Sequence, residues 1–325
     1  MILRSASTLL VWIVLGLTPA IARSDELRRN GFVLSPASIP AREIIAGGPA
    51  RDGIPALEQP ATEPVADSSW GDDERVLAVV VGAESRAYPV AILNWHELVN
   101  DSLGGVPILV SFCPLCGTGL VFDRRVAGTT RSFGVSGLLY HSDLLMYDGE
   151  TESLWSQVSA EAVTGALRGQ RLSLLRAHMD RWGRWRRAHP ETSVLTRATG
   201  YARDYDRSPY ADYADSRRLF FRLPVDPRYH PKMPTLGLRI AGGAARAYPA
   251  SELARAGMPV EEDFAGRRVR VSYDAERQVF DVDAPAGIEV IESFWFAWAA
   301  FHPVSSVYRA GQPSRGGCLV GRHGM

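Results

Sequence analysis

The chain has 325 residues, of which 46% are apolar, 22% charged and 9% aromatic; this excludes a disordered tail, a collagen-like repeat and a disulfide-stapled miniprotein. Basic and acidic residues balance at 36 each, so no net field draws the chain to nucleic acid or to an anionic membrane surface. Three cysteines are too few for a disulfide scaffold, and the fold must rest on apolar burial.

Residues 1–22 read as a cleavable signal peptide. Arg4 gives a positive n-region, residues 9–17 (LLVWIVLGL) an apolar h-region, and Pro19-Ala20-Ile21-Ala22 an A-x-A site, so cleavage is expected near Ala22. The apolar run is shorter than the about 20 residues a spanning helix needs. The expectation is a periplasmic or secreted protein with no membrane span after cleavage. Residues 23–75, rich in Pro, Gly and charge, predict an irregular N-terminal wrap.

Beyond the wrap the chain repeats itself. Arg86-Ala87-Tyr88-Pro89 recurs as Arg246-Ala247-Tyr248-Pro249, and Val121-Phe122-Asp123 as Val279-Phe280-Asp281. Trp182, Trp185 and His189-Pro190 recur at the same spacing as Trp295, Trp298 and His302-Pro303, each followed by Ser-Val. Spacings of three and four place both tryptophans and the histidine on one helical face, which proline then ends. The expected fold class is α+β, with two strand–helix–strand–strand–helix halves, 76–200 and 236–310, sharing one core. A Tyr/Asp/Pro-rich connector at 201–235 joins them, and 311–325 reads as a flexible C-terminal tail.

The repeat also separates scaffold from site, since features common to both halves serve folding. On this test His189, His302 and the paired arginines Arg86 and Arg246 are structural. Three features belong to the first half alone. Cys113-Pro114-Leu115-Cys116-Gly117 stands where the second half has 274–278; His96, in a helix predicted over 90–99, aligns with Ala256. The third is an insert of about 45 residues by the same comparison.

The cysteine pair admits three readings. Two thiolates two residues apart at a hairpin tip can point at one metal ion. They can form a redox dithiol, although a strand rather than a helix is predicted to follow, which removes the usual cause of a lowered thiol pKa. Or they can be structural, as a small disulfide or two buried thiols. For a metal, His96 is the expected third ligand, with His141, Asp143 or water as the fourth; such a set suits zinc or copper. Gly117 after the second cysteine excludes a haem-attachment signature.

In the insert, Asp143, Asp148, Glu150 and Glu152 could supply acid–base chemistry or be solvated turn acids. Tyr140, Tyr147, Asp148, Trp155 and Gln157 are the expected pocket residues. Asp204, Asp206, Asp212 and Asp215 lack EF-hand spacing, and Cys318 lies in the Gly-rich tail. No phosphate-binding loop, G-x-S-x-G elbow or HExxH motif occurs, and no catalytic residue is assigned.

Residues 93–101 (LNWHELVND), 111–118 (SFCPLCGT), 133–139, 142–148 and 153–157 together resemble the bacterial and archaeal family called domain of unknown function 3179, over about Ile54 to His302. The resemblance implies a fold family and no particular activity. Asn is usual in that family where this chain has His141, and Arg-Gln where it has Gly149-Glu150, which favours His96 over His141 as a ligand. The leading expectation is a transition-metal binder, enzyme or carrier, acting on a metal ion or small molecule. The alternatives are a thiol–disulfide oxidoreductase using Cys113 and Cys116, and a non-catalytic binding module that presents the aromatic insert.

Overall fold

The computed structural model describes residues 27–312; the expected signal peptide, the end of the tail and Cys318 lie outside them. Strands make up 41% and helix only 12%, and the strands are arranged as a five-bladed β-propeller. This corrects the expected α+β class with duplicated strand–helix halves. The segments read as helices contain helices, Val90–His96, Trp182–Ala188, Ala250–Ala256 and Trp295–Phe301, but the one expected over 90–99 stops at His96 and gives way to the strand Leu98–Leu103. Each helix has only seven residues, about two turns. They are connectors between strands rather than a layer of their own.

The matched motifs mark two similarly ordered sheets. In the first, Ala177–Arg181, Arg75–Val81, Glu84–Pro89 and Ser193–Leu195 lie side by side; in the second, Glu289–Phe294, Pro234–Arg239, Ala245–Pro249 and Ser306–Val307 do. In both, the RAYP strand pairs antiparallel with the strand before it and parallel with the Ser-Val strand. A buried carboxylate fixes each corner. The Arg86 guanidinium and the Tyr88 hydroxyl donate to Asp101 at 2.7 and 2.8 Å, and Arg246 and Tyr248 donate to Glu262 at 2.9 and 2.5 Å. Charge-assisted bonds of this kind offset the cost of burying the acid.

The CPLC motif lies in a third sheet, ordered Ser173–Leu175, Thr118–Asp123, Val106–Cys113, Leu98–Leu103 and Leu57–Glu58. The insert builds a fourth from Glu161–Ala162, Leu154–Ser156, Asp143–Asp148, Phe133–Tyr140 and Ile45–Ala46. A three-stranded sheet, Val260–Phe264, Arg267–Asp274 and Val279–Asp283, makes the fifth. The N-terminal segment supplies edge strands to three of these sheets: Ile45–Ala46, Leu57–Glu58 and Thr62–Pro64.

Burial is divided among several clusters rather than one shared core. One cluster joins Cys113, Cys116, Phe133, Met146 and Trp155 to Trp295 and Trp298. Another gathers Leu77, Tyr88, Ile92, Trp182 and Trp185. Indoles bury the most apolar area per residue, and Trp155, Trp182, Trp295 and Trp298 are all buried. The strands of the CPLC hairpin and of the insert are buried almost end to end, each fully buried aliphatic or Phe side chain contributing about 1.5–3 kcal/mol. His189 and His302 end the two Trp helices, with rings packed at a tilt on Trp185 and Trp298, centroids 3.8 and 4.2 Å apart.

Candidate metal centre

Cys113 ends one strand of the CPLC hairpin and pairs with Thr118, which opens the next. The four residues between them turn the chain, and Gly117 there has φ +63°. A Cβ at that position would lie 3.0 Å from the Phe294 ring, so glycine answers both the dihedral and the close packing. Both thiols are free and buried. They donate to the Ser142 carbonyl, Cys116 Sγ at 3.2 Å and Cys113 Sγ at 3.9 Å.

Ser142 belongs to a two-residue hairpin loop, His141-Ser142, closed by the pair Tyr140–Asp143. Both loop residues have positive φ, 53° and 63°, as a type I′ turn requires. This turn delivers Asp143 to the thiols. The two Sγ atoms and one carboxylate oxygen of Asp143 lie within 4.8 Å of one another, all buried; no other such group of three or more His, Cys, Asp or Glu occurs among the described residues. Asp143 Oδ2 accepts from the Val158 amide at 3.1 Å, while Oδ1, also buried, has no partner.

Glu97 adds a further buried acid. It follows the helix Val90–His96 at φ +58°, a region an L-residue enters at a cost of about 1 kcal/mol or more. Its amide donates to Leu93 O and its carbonyl accepts from Phe112. The Tyr210 hydroxyl hydrogen-bonds its carboxyl, while burial and the charge of Asp143 raise the Glu97 pKa to about 8. Burial likewise lifts Asp143 to about 7 and pushes both thiols above their ordinary value, Cys116 the further. The charged groups acting on these four are one another. A site of this kind holds protons or takes up a cation.

The remaining sequence-predicted residues lie elsewhere. His96 is fully buried, but its Nδ1 lies 2.8 Å from Pro55 O and its Nε2 2.7 Å from the Tyr205 hydroxyl; both nitrogens are engaged away from the thiols. His141 packs on Tyr140 and Phe301, at centroid distances of 4.0 and 5.3 Å. Tyr147 donates to Asp52, and Asp148 accepts from the Trp155 indole at 2.9 Å and from Thr151. Glu150 accepts from the Ser132 amide and Glu152 pairs with Arg51 at 2.8 Å. Of the expected pocket residues, Gln157 bonds to both strands of the CPLC hairpin, donating to Ser111 Oγ and Thr118 O at 2.9 and 3.1 Å with Oε1 unpartnered.

Sequence reasoning missed Glu97, Tyr210 and Tyr213, the last of which packs in one cluster with Cys113 and Cys116. A signal for Glu97 was present, because it aligns with Gly257, which ends the helix Ala250–Ala256 at φ +67°. A glutamate where the matching position uses glycine marks a strained residue kept for a reason other than stability.

No curated protein and no solved structure shows significant similarity to the chain. The model of one family, described as a protein of unknown function (DUF3179), matches residues 51–286. On that match the chain belongs to the DUF3179 family.

Proposed function

We propose that this protein binds a transition-metal ion on Cys113, Cys116 and Asp143. The observation that carries the reading is the clustering of three buried donor atoms within 4.8 Å, one carboxylate oxygen of the same group being unpartnered. Two thiolates and a carboxylate bring three negative charges when deprotonated, two of which a divalent ion offsets. The hard carboxylate oxygen favours zinc, and copper is the second choice on thiolate softness. Three protein ligands leave a fourth position for water or for Glu97.

A thiol–disulfide oxidoreductase has less support. Burial raises both thiol pKa values, whereas a reactive dithiol needs an accessible and acidified first cysteine. Elemental analysis of full-length chain, purified without chelators and with a parallel thiol count, separates the two readings. About one equivalent of zinc or copper is expected from this single-site reading. Cys113→Ser and Asp143→Asn should lose it, while His96→Ala, whose ring is engaged elsewhere, should keep it. Failure to take up either metal on reconstitution, with Cys113 and Cys116 oxidised to each other, would overturn the proposal.

A further inference from the structure

The CPLC hairpin also walls a second space. Gly117, Phe280 and Phe294 border a cavity of about 240 Å³ whose polar lining includes Arg75, Lys232, Glu292 and Ser293. The Phe294 amide donates to Cys116 O at 2.7 Å, tying that wall to the turn. At about 30 Å³ per water, the volume holds a molecule the size of a small organic acid.

The charged lining groups are Arg75 and Lys232 against Asp215 and Glu292. The Arg75 guanidinium makes no hydrogen bond and no ion pair within 4 Å among the described residues. Its side chain is exposed on one side, desolvation by the surrounding protein pulls its pKa down, and the charge of Glu292 acts against that. Directly across the sheet from Arg75 stands Arg181. The Arg181 guanidinium donates only to neutral acceptors, Arg277 O at 2.8 Å, Asp73 O at 2.8 Å and Gln278 Oε1 at 3.3 Å. Like charges opposed across strands are destabilising, and this pair has no carboxylate within ion-pair distance.

The two lining acids each act on one of the lining cations, Asp215 on Lys232 and Glu292 on Arg75. The Lys232 ammonium is saturated by three backbone carbonyls. Burial raises Glu292 to about 7, so near neutral pH it is only partly charged and can also act as a donor. Ser293 is 5% exposed, and its Oγ is buried without a partner. Buried hydroxyls without partners are uncommon enough to need a reason.

We propose that this cavity is a binding site for a small oxyanion, a carboxylate or inorganic phosphate, held by the Arg75 guanidinium and the Ser293 hydroxyl. A planar guanidinium grips either anion through two parallel N–H donors, and the hydroxyl gains the partner it lacks. The anion gives the Arg75 guanidinium a hydrogen-bonded counter-charge and lies against the wall that Gly117 and Phe294 help to form. Arg75 and Ser293 are not ligands of the proposed metal, so this site stands or falls apart from that reading.

The test is equilibrium dialysis of the full-length chain, metal-free and zinc-loaded, against labelled acetate in one arm and labelled inorganic phosphate in the other. Saturable binding of about one equivalent of either probe is expected, and the tighter probe identifies the class of anion. Arg75→Gln should weaken it by about tenfold or more, and Ser293→Ala by about threefold or more. Arg270→Gln, an exposed arginine on a different recess, should leave it unchanged. No saturable binding of either probe, or equal binding by Arg75→Gln, would overturn the proposal. Should Arg75→Gln fail to fold, Ser293→Ala decides, and unchanged affinity in that variant overturns it as well.

Discussion

Replacing Lys232 by methionine should cost about 3 kcal/mol of stability and loosen the cover of the thiol site. Lys232 is the chain's only lysine and is 3% exposed. Its Nζ donates to Tyr213 O, Ser216 O and Arg218 O at 2.5–2.7 Å and lies 3.6 Å from the centre of the Tyr213 ring. Methionine keeps nearly the same volume, so the cavity cost is small. A buried carbonyl left without a donor costs about 1–3 kcal/mol; Tyr213 O is buried, while the other two belong to exposed residues and regain water in part, which gives an upper range of about 3–6. The ammonium's own desolvation, which lowers its pKa, is relieved in the variant and brings the net toward the lower end. Because Tyr213 packs in the same cluster as Cys113 and Cys116, releasing it should also open the thiols. Urea denaturation measures the first effect and the rate of modification by a disulfide reagent the second, which should rise by about tenfold or more for a local opening eased by about 1.4 kcal/mol. A denaturation midpoint and a thiol rate both equal to wild type would refute the reasoning and mean that the connector is held by other contacts.

Three further outcomes follow from the packing and electrostatics. Gly237→Ala would place a Cβ 1.8 Å from Cζ3 of the buried Trp298 indole; a loss of about 3 kcal/mol or failure to fold is expected by overpacking, and a thermal midpoint within two or three degrees of wild type would count against the register Gly237↔Ala247. His302 titrates near 6.5 when unfolded, but burial, aided by Arg239, lowers it to about 4 in the fold. Between those values the unfolded chain holds more protons, so stability should fall by up to about 3 kcal/mol as pH drops from about 6.5 to 4 and no further below. His302→Gln should flatten that limb in urea titrations at pH 7 and 4.5; an unchanged pH slope would sink the assignment. Glu97→Gly should raise the unfolding free energy of metal-free protein by about 1–2 kcal/mol in urea denaturation, from relief of a positive φ and removal of a buried acid, and a drop would show that the Tyr210 contact outweighs the strain.

The matched motifs were legible because each encodes a local constraint. The RAYP tyrosine and arginine need a buried carboxylate, and two tryptophans three apart need a helical face. What could not be read was how little helix each face belongs to. Periodicity reports that Trp182 and Trp185 share a side, and His189-Pro190 reports where the helix ends, but neither states that it begins only at Trp182. Edge strands of two residues, such as Ile45–Ala46 and Leu57–Glu58, carry no alternation at all. They are strands only because Leu138, Leu139, Val99 and Asn100 offer free ladder positions. The β-rich architecture rests on such non-local pairings, and for that reason sequence patterns pointed instead to two strand–helix halves.

At the site, the same difference between local and distant information decided what could be seen. The CxxC spacing is local, and Asp143 follows a two-residue turn that has a recognisable shape. His96 drew attention because its counterpart is Ala256, yet a buried histidine is satisfied as readily by a carbonyl and a tyrosine as by a metal, and here Pro55 and Tyr205 satisfy it. The adjacent comparison carried more physics. Gly257 ends its helix at φ +67° without cost, whereas Glu97 ends the corresponding helix at φ +58° with a penalty and buries an acid beside Asp143 and Cys113. Stability alone would favour glycine at both positions. A cation bound among the thiols would reverse that balance, turning the buried acids from a cost into ligands and counter-charges, and strain at Glu97 is the kind of signature such a balance leaves.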